Sequence, residues 1–354
     1  MVVEASPLTE LASGIDALYL SGWGSLPPSL LERLDRARAL AEEVHQPLPF
    51  HLGELQMGAA PHGWGRYRYL LAHELGRIGF TTSQHLPAVR IQPTAALVHA
   101  VGPEETVAGF AGLLAGEGAE LRYSVNRVDL FADWQGWEIG AADRERFVCR
   151  ASESRIFAEG AAWRGFTFGS RRSRTLFARI YDKTAEIAHS GADWWPGVWG
   201  ESYDPDRPVV RVELEVGRTA LGEFALEAPG DVIAGAGDLW RYATGEWLTL
   251  RTPTTDGTRS RWPLAPEWRQ VQQASLCHEP LGLTRIAAGR RAGTLRCIFP
   301  ALVGYLAAFA VAVGTEEIDD TLVALDCQLR NDEIARRVPF PERIERRRME
   351  RVVR

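Results

Sequence analysis

Gly165–Ile187 reads GFTFGSRRSRTLFARIYDKTAEI, and three local patterns follow one another in it. Phe166 and Phe168 alternate with small or polar residues. Leu176, Ala178 and Ile180 then alternate with Phe177, Arg179 and Tyr181, so each run has the period of a half-buried strand. Between them lies a turn of serines and arginines, Ser170–Arg174, and the spacing predicts a β-hairpin with a basic tip. From Asp182 the pattern changes to DKTAEIAHS, the start of a helix that Asp182 is placed to cap.

Two further strands are legible on either side of this hairpin. NRVDLFAD places Asp129 and Asp133 on one face, because side chains alternate with a period of two. VVRVELEV puts Arg211, Glu213 and Glu215 on one face and Val210, Val212, Leu214 and Val216 on the other. If these strands are neighbours, carboxylates, a tyrosine and a lysine surround one polar patch. Clustered carboxylates repel unless a cation offsets them, and oxygen ligands favour Mg²⁺ or Mn²⁺. A tyrosine beside such an ion has the right chemistry to attack a phosphodiester and become covalently linked to it. Taken singly, VELEV is the solvated face of a strand and Tyr181 a half-buried strand tyrosine; only their joint occurrence points to chemistry.

The rest of the chain sets the frame. Pro28 onward carries Leu30, Leu31, Leu34, Ala37 and Leu40 at helical spacing, and residues 1–62 read as a helical N-terminal extension. Short alternating strands from Gly63, a helix over Pro103–Glu117 and the strands above read as a second region, 63–220. Residues 221–354 read as a mainly helical C-terminal region with a basic tail, in which Arg330–Arg354 holds nine arginines against five acidic residues. Strands followed by helices in this order predict an α+β fold, an antiparallel sheet with crossing helices. The net charge of −6 argues against a protein that coats nucleic acid, yet Arg164, Arg171, Arg172, Arg174 and Arg179 form a local run without an acidic residue. Arginine binds phosphate in a bidentate fork, so such a run suits a nucleic-acid enzyme whose total charge is acidic. Four scattered cysteines without a CxxC pair, and an N-terminus without an apolar stretch, predict a cytoplasmic protein. Ile298–Gly314 is uncharged over 17 residues, at the lower edge of the roughly 17–25 needed to span a bilayer. It reads as a buried core helix, and no membrane association is expected.

Phe166–Ile187 closely resembles the signature of the replication initiation factor family, which includes rolling-circle plasmid and phage initiators and the relaxases of integrative conjugative elements. Gly169, Ser170, Arg171 and Ser173 match its GSR-x-S turn; Arg179, Tyr181, Asp182, Lys183 and Glu186 match the R-x-Y-[DN]-K motif and the glutamate after it. Arg127, Asp129 and Asp133 match an upstream R-x-D-x-x-x-D strand, and Arg211 and Glu213 a downstream R-x-E strand. The resemblance spans about residues 64–250, and DLWRYATGEWLTLR is similar to actinobacterial-type members. It implies a palm-like nuclease core and a metal-dependent nicking-closing enzyme that makes a site- and strand-specific cut at an origin. Tyr181 would become linked to the 5′ phosphate, with Lys183 and Glu186 completing the catalytic set. Asp129, Asp133, Glu213 and Glu215 would hold Mg²⁺ or Mn²⁺, and Arg127, Arg171, Arg172, Arg174, Arg179 and Arg211 would contact DNA. The implied partners are origin DNA, duplex and single-stranded, and a host helicase; a homodimer is left open. Conjugative relaxase and non-catalytic origin-binding regulator stay open as alternatives. The sequence departs from the pattern in having Phe166 and Phe168 where many members carry tyrosine, and no H-x-H pair among its eight histidines.

Overall fold

The computed structural model describes residues 8–192, 194–277, 303, 306–307, 309–336 and 338–344. The chain falls into two compact units, Met1–Glu279 and Pro280–Arg354, so the boundaries expected at 62/63 and 220/221 lie inside the first unit.

The first unit is organised by eleven antiparallel strands. They are β1 (Thr9–Ser25), β2 (Leu48–Leu52), β3 (Leu55–Ala59), β4 (Tyr69–His73), β5 (Gly76–Phe80), β6 (Val89–Pro93), β7 (Glu120–Gln135), β9 (Ser154–Glu159), β10 (Ala162–Gly169), β11 (Leu176–Asp182) and β12 (Val209–Gly217). Their order across the sheet is β2-β3-β4-β5-β6-β1-β7-β12-β11-β10-β9. A separate two-stranded ribbon pairs β8 (Phe147–Cys149) with β13 (Leu248–Leu250). The α+β class, a large antiparallel sheet with helices, is what the patterns predicted.

The N-terminal extension is a correction. Pro28–Val44 is helical as expected and buries Leu30, Leu34 and Ala41, but Thr9–Ser25 before it is the strand in the middle of the sheet. Its register against β7 shifts between Glu10 and Ala12, between Ile15 and Ala17, and between Tyr19 and Leu20. Each shift breaks the period-two pattern, which is why the segment does not read as a strand.

The hairpin forms as predicted, with Phe166 opposite Ile180 and Gly165 opposite Tyr181. At its tip Arg174 takes the left-handed conformation, φ 52°. Its carbonyl oxygen accepts a hydrogen bond from the Thr219 backbone N–H. A Cβ at Gly217 would stand 2.5 Å from that oxygen, so glycine is required there. The Asp182 side chain caps helix Lys183–Ser190 by accepting from Ala185 N–H at 2.9 Å.

Alternation gives the central strands one apolar and one charged face. On the apolar face Phe166 and Phe168 meet Phe147 of the ribbon at ring distances of 5.5 and 5.1 Å, and Phe147 meets Trp268 at 5.8 Å. Residues 221–277 contribute short helices to this core, with Trp240 and Trp268 fully buried, and the strand β13 interrupts them. The charged face is buried as well: Asp129, Asp133, Arg211, Glu213 and Glu215 are all inaccessible or nearly so. Among the described residues no helix is long and apolar enough to cross a membrane. Ile298–Gly314 lies in part outside them, as does the end of the basic tail; of its described residues Val303, Val311 and Val313 are exposed, so the expectation of a buried core helix is corrected there.

Candidate active site

Strand register assembles the charged face. Glu215 stands opposite Asp129, Glu213 opposite Phe131 and Arg211 opposite Asp133 between β12 and β7. On the other side of β12, Phe177, Arg179 and Tyr181 stand opposite Glu215, Glu213 and Arg211. The carboxylates and arginines singled out on three separate motifs therefore share one surface of three adjacent strands.

One end of this surface is closed. Asp133 accepts from Arg211 through Nε at 2.6 Å and Nη2 at 2.7 Å, and from the Trp199 indole at 2.8 Å. The Arg211 guanidinium lies 3.9 Å from the Trp195 ring and 4.3 Å from that of Phe131. Its remaining nitrogen Nη1 reaches Asp16 at 3.3 Å, and Asp16 is hydrogen-bonded to His99 at 3.0 Å. Asp16 sits at the second register shift of β1, and the extra residue of that bulge turns its side chain onto the charged face. Burial opposes ionisation of Asp16, but the His99 hydrogen bond and the Arg211 charge hold it down at about 2. Lys183 lies here too, buried, 2.6 Å from Glu186 and 4.8 Å from the Trp195 ring. Burial and the Arg211 charge push its ammonium pKa down against the pull of Glu186.

The other end is open. Glu213 accepts from Arg179 and, at 3.0 Å, from the Tyr181 hydroxyl. Arg127 bridges two carboxylates, donating to Asp129 at 2.6 and 2.5 Å and reaching Glu215 at 3.0 Å. Glu215 also accepts from Arg171 Nε at 2.5 Å. Burial pushes the Asp129 carboxyl up to about 7; Arg127 opposes the shift, while Glu213 and Glu215 add to it. For Tyr181, burial and then the neighbouring Glu213 charge raise the phenol well above its usual 10.

Two clefts open on this end. The first, roughly 510 Å³, is lined by Asp129, Arg127, Arg179, Glu213, Gln92 and Tyr19 among others. The Arg179 Nε is buried and has no hydrogen-bond partner among the described residues. Tyr181 lies behind Glu213, which does line the cleft. The second cleft, roughly 610 Å³, is lined by Arg171, Arg174, Glu215 and Trp23, and shares Tyr19 and Arg127 with the first.

This geometry divides the expected residues. Tyr181, Glu213, Asp129, Glu215, Arg127, Arg171 and Arg179 come together at the open end. Arg174 lines the second cleft, and Arg172 is exposed at the hairpin tip. Arg211 is 0% exposed, so it cannot reach a phosphate; it is a buried counterion for Asp133. Asp133 in turn accepts three hydrogen bonds from Arg211 and Trp199 and is fully buried, and it lines neither cleft. Lys183 and Glu186 stand at the closed end against Trp195. Asp16, Tyr19, Gln92 and His99 had no signal in the sequence beyond a polar residue in a broken apolar pattern.

The donor chemistry suits a hard divalent cation in part. Three buried carboxylates, Asp129, Glu213 and Glu215, share this end, and the charges of the two glutamates add to the cost of ionising Asp129, which a cation between them would relieve. In the present arrangement arginine N–H groups occupy their oxygens, and among the described residues no three His, Cys, Asp or Glu side chains are grouped as ligands.

No protein-family model matches the chain, and no curated protein matches it. Three chains of solved structures do. One of them, the rolling-circle replication initiator protein from Geobacillus stearothermophilus, superposes with a TM-score of 0.45 at 15% sequence identity, covering 75% of this chain and 97% of that one.

Proposed function

We propose that this chain nicks DNA through a tyrosine, in the manner of a rolling-circle replication initiator acting at an origin. The observation that carries the reading is the contact between Tyr181 Oη and Glu213 Oε2, 3.0 Å, with Arg179 bound to the same carboxylate. A nucleophile, a proton acceptor and a phosphate-binding cation are thereby held together, the last two on the wall of an open cleft.

Tyr181 Oη attacks phosphorus, the bond from phosphorus to the 3′ oxygen breaks, and the phenolic proton passes to Glu213. The departing 3′ oxygen takes up a proton, so one diester is exchanged for another and the free 3′ hydroxyl can prime synthesis. The raised phenol pKa means that Tyr181 is protonated at rest, so Glu213 must accept the proton as the new bond forms. Arg179 and Arg127, which both line the first cleft, hold the non-bridging oxygens. Mg²⁺ or Mn²⁺ held by Asp129 and Glu213 would supply further stabilisation of charge on the phosphoryl group.

The test is an adduct assay on oligonucleotides that span the origin of the source element, with Mn²⁺ or Mg²⁺. Wild-type protein gives an adduct that survives denaturation, and Tyr181→Phe abolishes it. An undiminished adduct in that variant moves the nucleophile elsewhere, and no adduct with wild type leaves a DNA-binding regulator. A conjugative relaxase uses the same step, and a transfer origin in place of the replication origin separates the two.

A further inference from the structure

We infer that the second cleft is a binding site for single-stranded nucleic acid, gripping the strand on one flank of the phosphate that is cut. The inference rests on the nicking reading for its place in the reaction, but the cleft stands on observations of its own.

The first is charge. Six arginines line it: Arg66, Arg90, Arg127, Arg171, Arg174 and Arg218. The one carboxylate among its lining residues, Glu215, is already neutralised by Arg127 and Arg171. Arg66, Arg90, Arg174 and Arg218 have no carboxylate partner among the described residues. In a chain of net charge −6, four unneutralised guanidinium groups around one concavity are a local reversal of the protein's overall field. The reversal carries a cost: burial pushes the Arg90 pKa down, and the charges of Arg77 and Arg174 push the same way. A polyanion would relieve this repulsion.

The second is aromatic surface. Tyr19, Trp23, Tyr67 and Phe177 line the same walls. Trp23 is half-buried, with Arg218 5.9 Å from its ring. Arg90 is held 4.0 Å from the ring of Trp64, on which Arg77 also lies at 4.2 Å. Arginines that track phosphates beside aromatic faces on which bases stack are the means by which proteins hold an unpaired strand.

The third is continuity. Tyr19 and Arg127 line both clefts, and the Tyr19 hydroxyl is fixed by a 2.7 Å hydrogen bond from Gln92. A strand leaving the first cleft passes over Tyr19 directly into the second. A duplex finds no such path, because stacking on Trp23 requires an unpaired base.

Binding of fluorescein-labelled oligothymidylates, from about 5 to about 20 nucleotides, to the full chain tests this by anisotropy across a salt series. Arg66→Gln/Arg218→Gln, both on exposed residues, lowers affinity and reduces the slope of log K against log salt by about 1.4, the value for two lost phosphate contacts on a single strand. Trp23→Ala weakens the longer oligonucleotides by about 5- to 150-fold, the range for one lost base stack, and a melting curve checks that it folds. Unchanged affinity and slope in the double variant overturn the inference. So does a loss confined to duplex of the same length, which would make the cleft a duplex site. If oligothymidylate binding depends on these residues but wild type forms no covalent adduct with origin DNA, the cleft stands and the nicking reading falls. If the adduct forms but the double variant binds like wild type, the cleft alone falls.

Discussion

Strands β7, β11 and β12 carry the same residue types at both ends of their charged face, yet the two ends behave as different materials. Under the tryptophans, Arg211 and Asp133 meet in one fully buried bidentate pair, backed by Trp199 on one side and Asp16 on the other. At the open end, Arg127 is shared by Asp129 and Glu215, Glu215 by Arg127 and Arg171, and Glu213 by Arg179 and Tyr181. The difference is cover. Trp195 and Trp199 cap one end, and with Phe131 and Val209 they form a buried apolar cluster; the other end faces two clefts. A fully buried ion pair is a fixed scaffold because losing either partner strands a charge. Shared, half-open pairs exchange partners at lower cost, which is what a site that takes in a phosphate needs.

Variants that strike one end should leave the other alone. Arg211→Met should have the largest effect on the fold, about 3–5 kcal/mol of lost stability from an uncompensated Asp133, read from denaturant unfolding. A loss below about 1 kcal/mol would show that water reaches Asp133 and that the closed end is not closed. Glu213→Gln should slow cleavage by roughly 10²–10⁴-fold through loss of the proton acceptor. Its effect on unfolding should be smaller than that of Arg211→Met, since Arg179 is 36% exposed and can turn to solvent. Equal losses of stability in the two variants would erase the distinction. The smallest effect belongs to Trp199→Phe, which removes one of the three hydrogen bonds to Asp133 and should cost about 1–3 kcal/mol with the cleavage rate per folded molecule unchanged.

The open end was largely legible in the sequence because its residues sit on strands of regular period. Once NRVDLFAD and VVRVELEV are strands, Asp129, Glu213 and Glu215 must share faces, and only their adjacency remained for the structure to supply. The residues that were not legible are those where the period fails. Asp16 faces the charged side only because an extra residue bulges from β1, and Tyr19 follows it in the same irregular strand. Arg211 and Arg179 look alike in sequence, two arginines in alternating strands, and nothing local tells that tryptophans from residues 195–199 cover the first and not the second. Burial of a charged residue is decided by what is packed above it, here a loop rich in Trp, Pro and Gly whose path no periodicity encodes. The second cleft was hidden for a similar reason: Arg66, Arg90, Arg174 and Arg218 come from four separate segments.

The bulge at Asp16 has a consequence for the order in which the protein can be made. Asp16, Asp133 and Arg211 form one charged set, but Asp133 is synthesised 78 residues before its counterion and Asp16 195 residues before it. Until Arg211 has left the ribosome, the nascent β1–β7 pair carries Asp133 without its counterion, whereas Asp16 already has His99. The charged face across β1, β7 and β12 can therefore close only after β12 arrives, although the backbone partners of the N-terminal strand, β6 and β7, are made earlier.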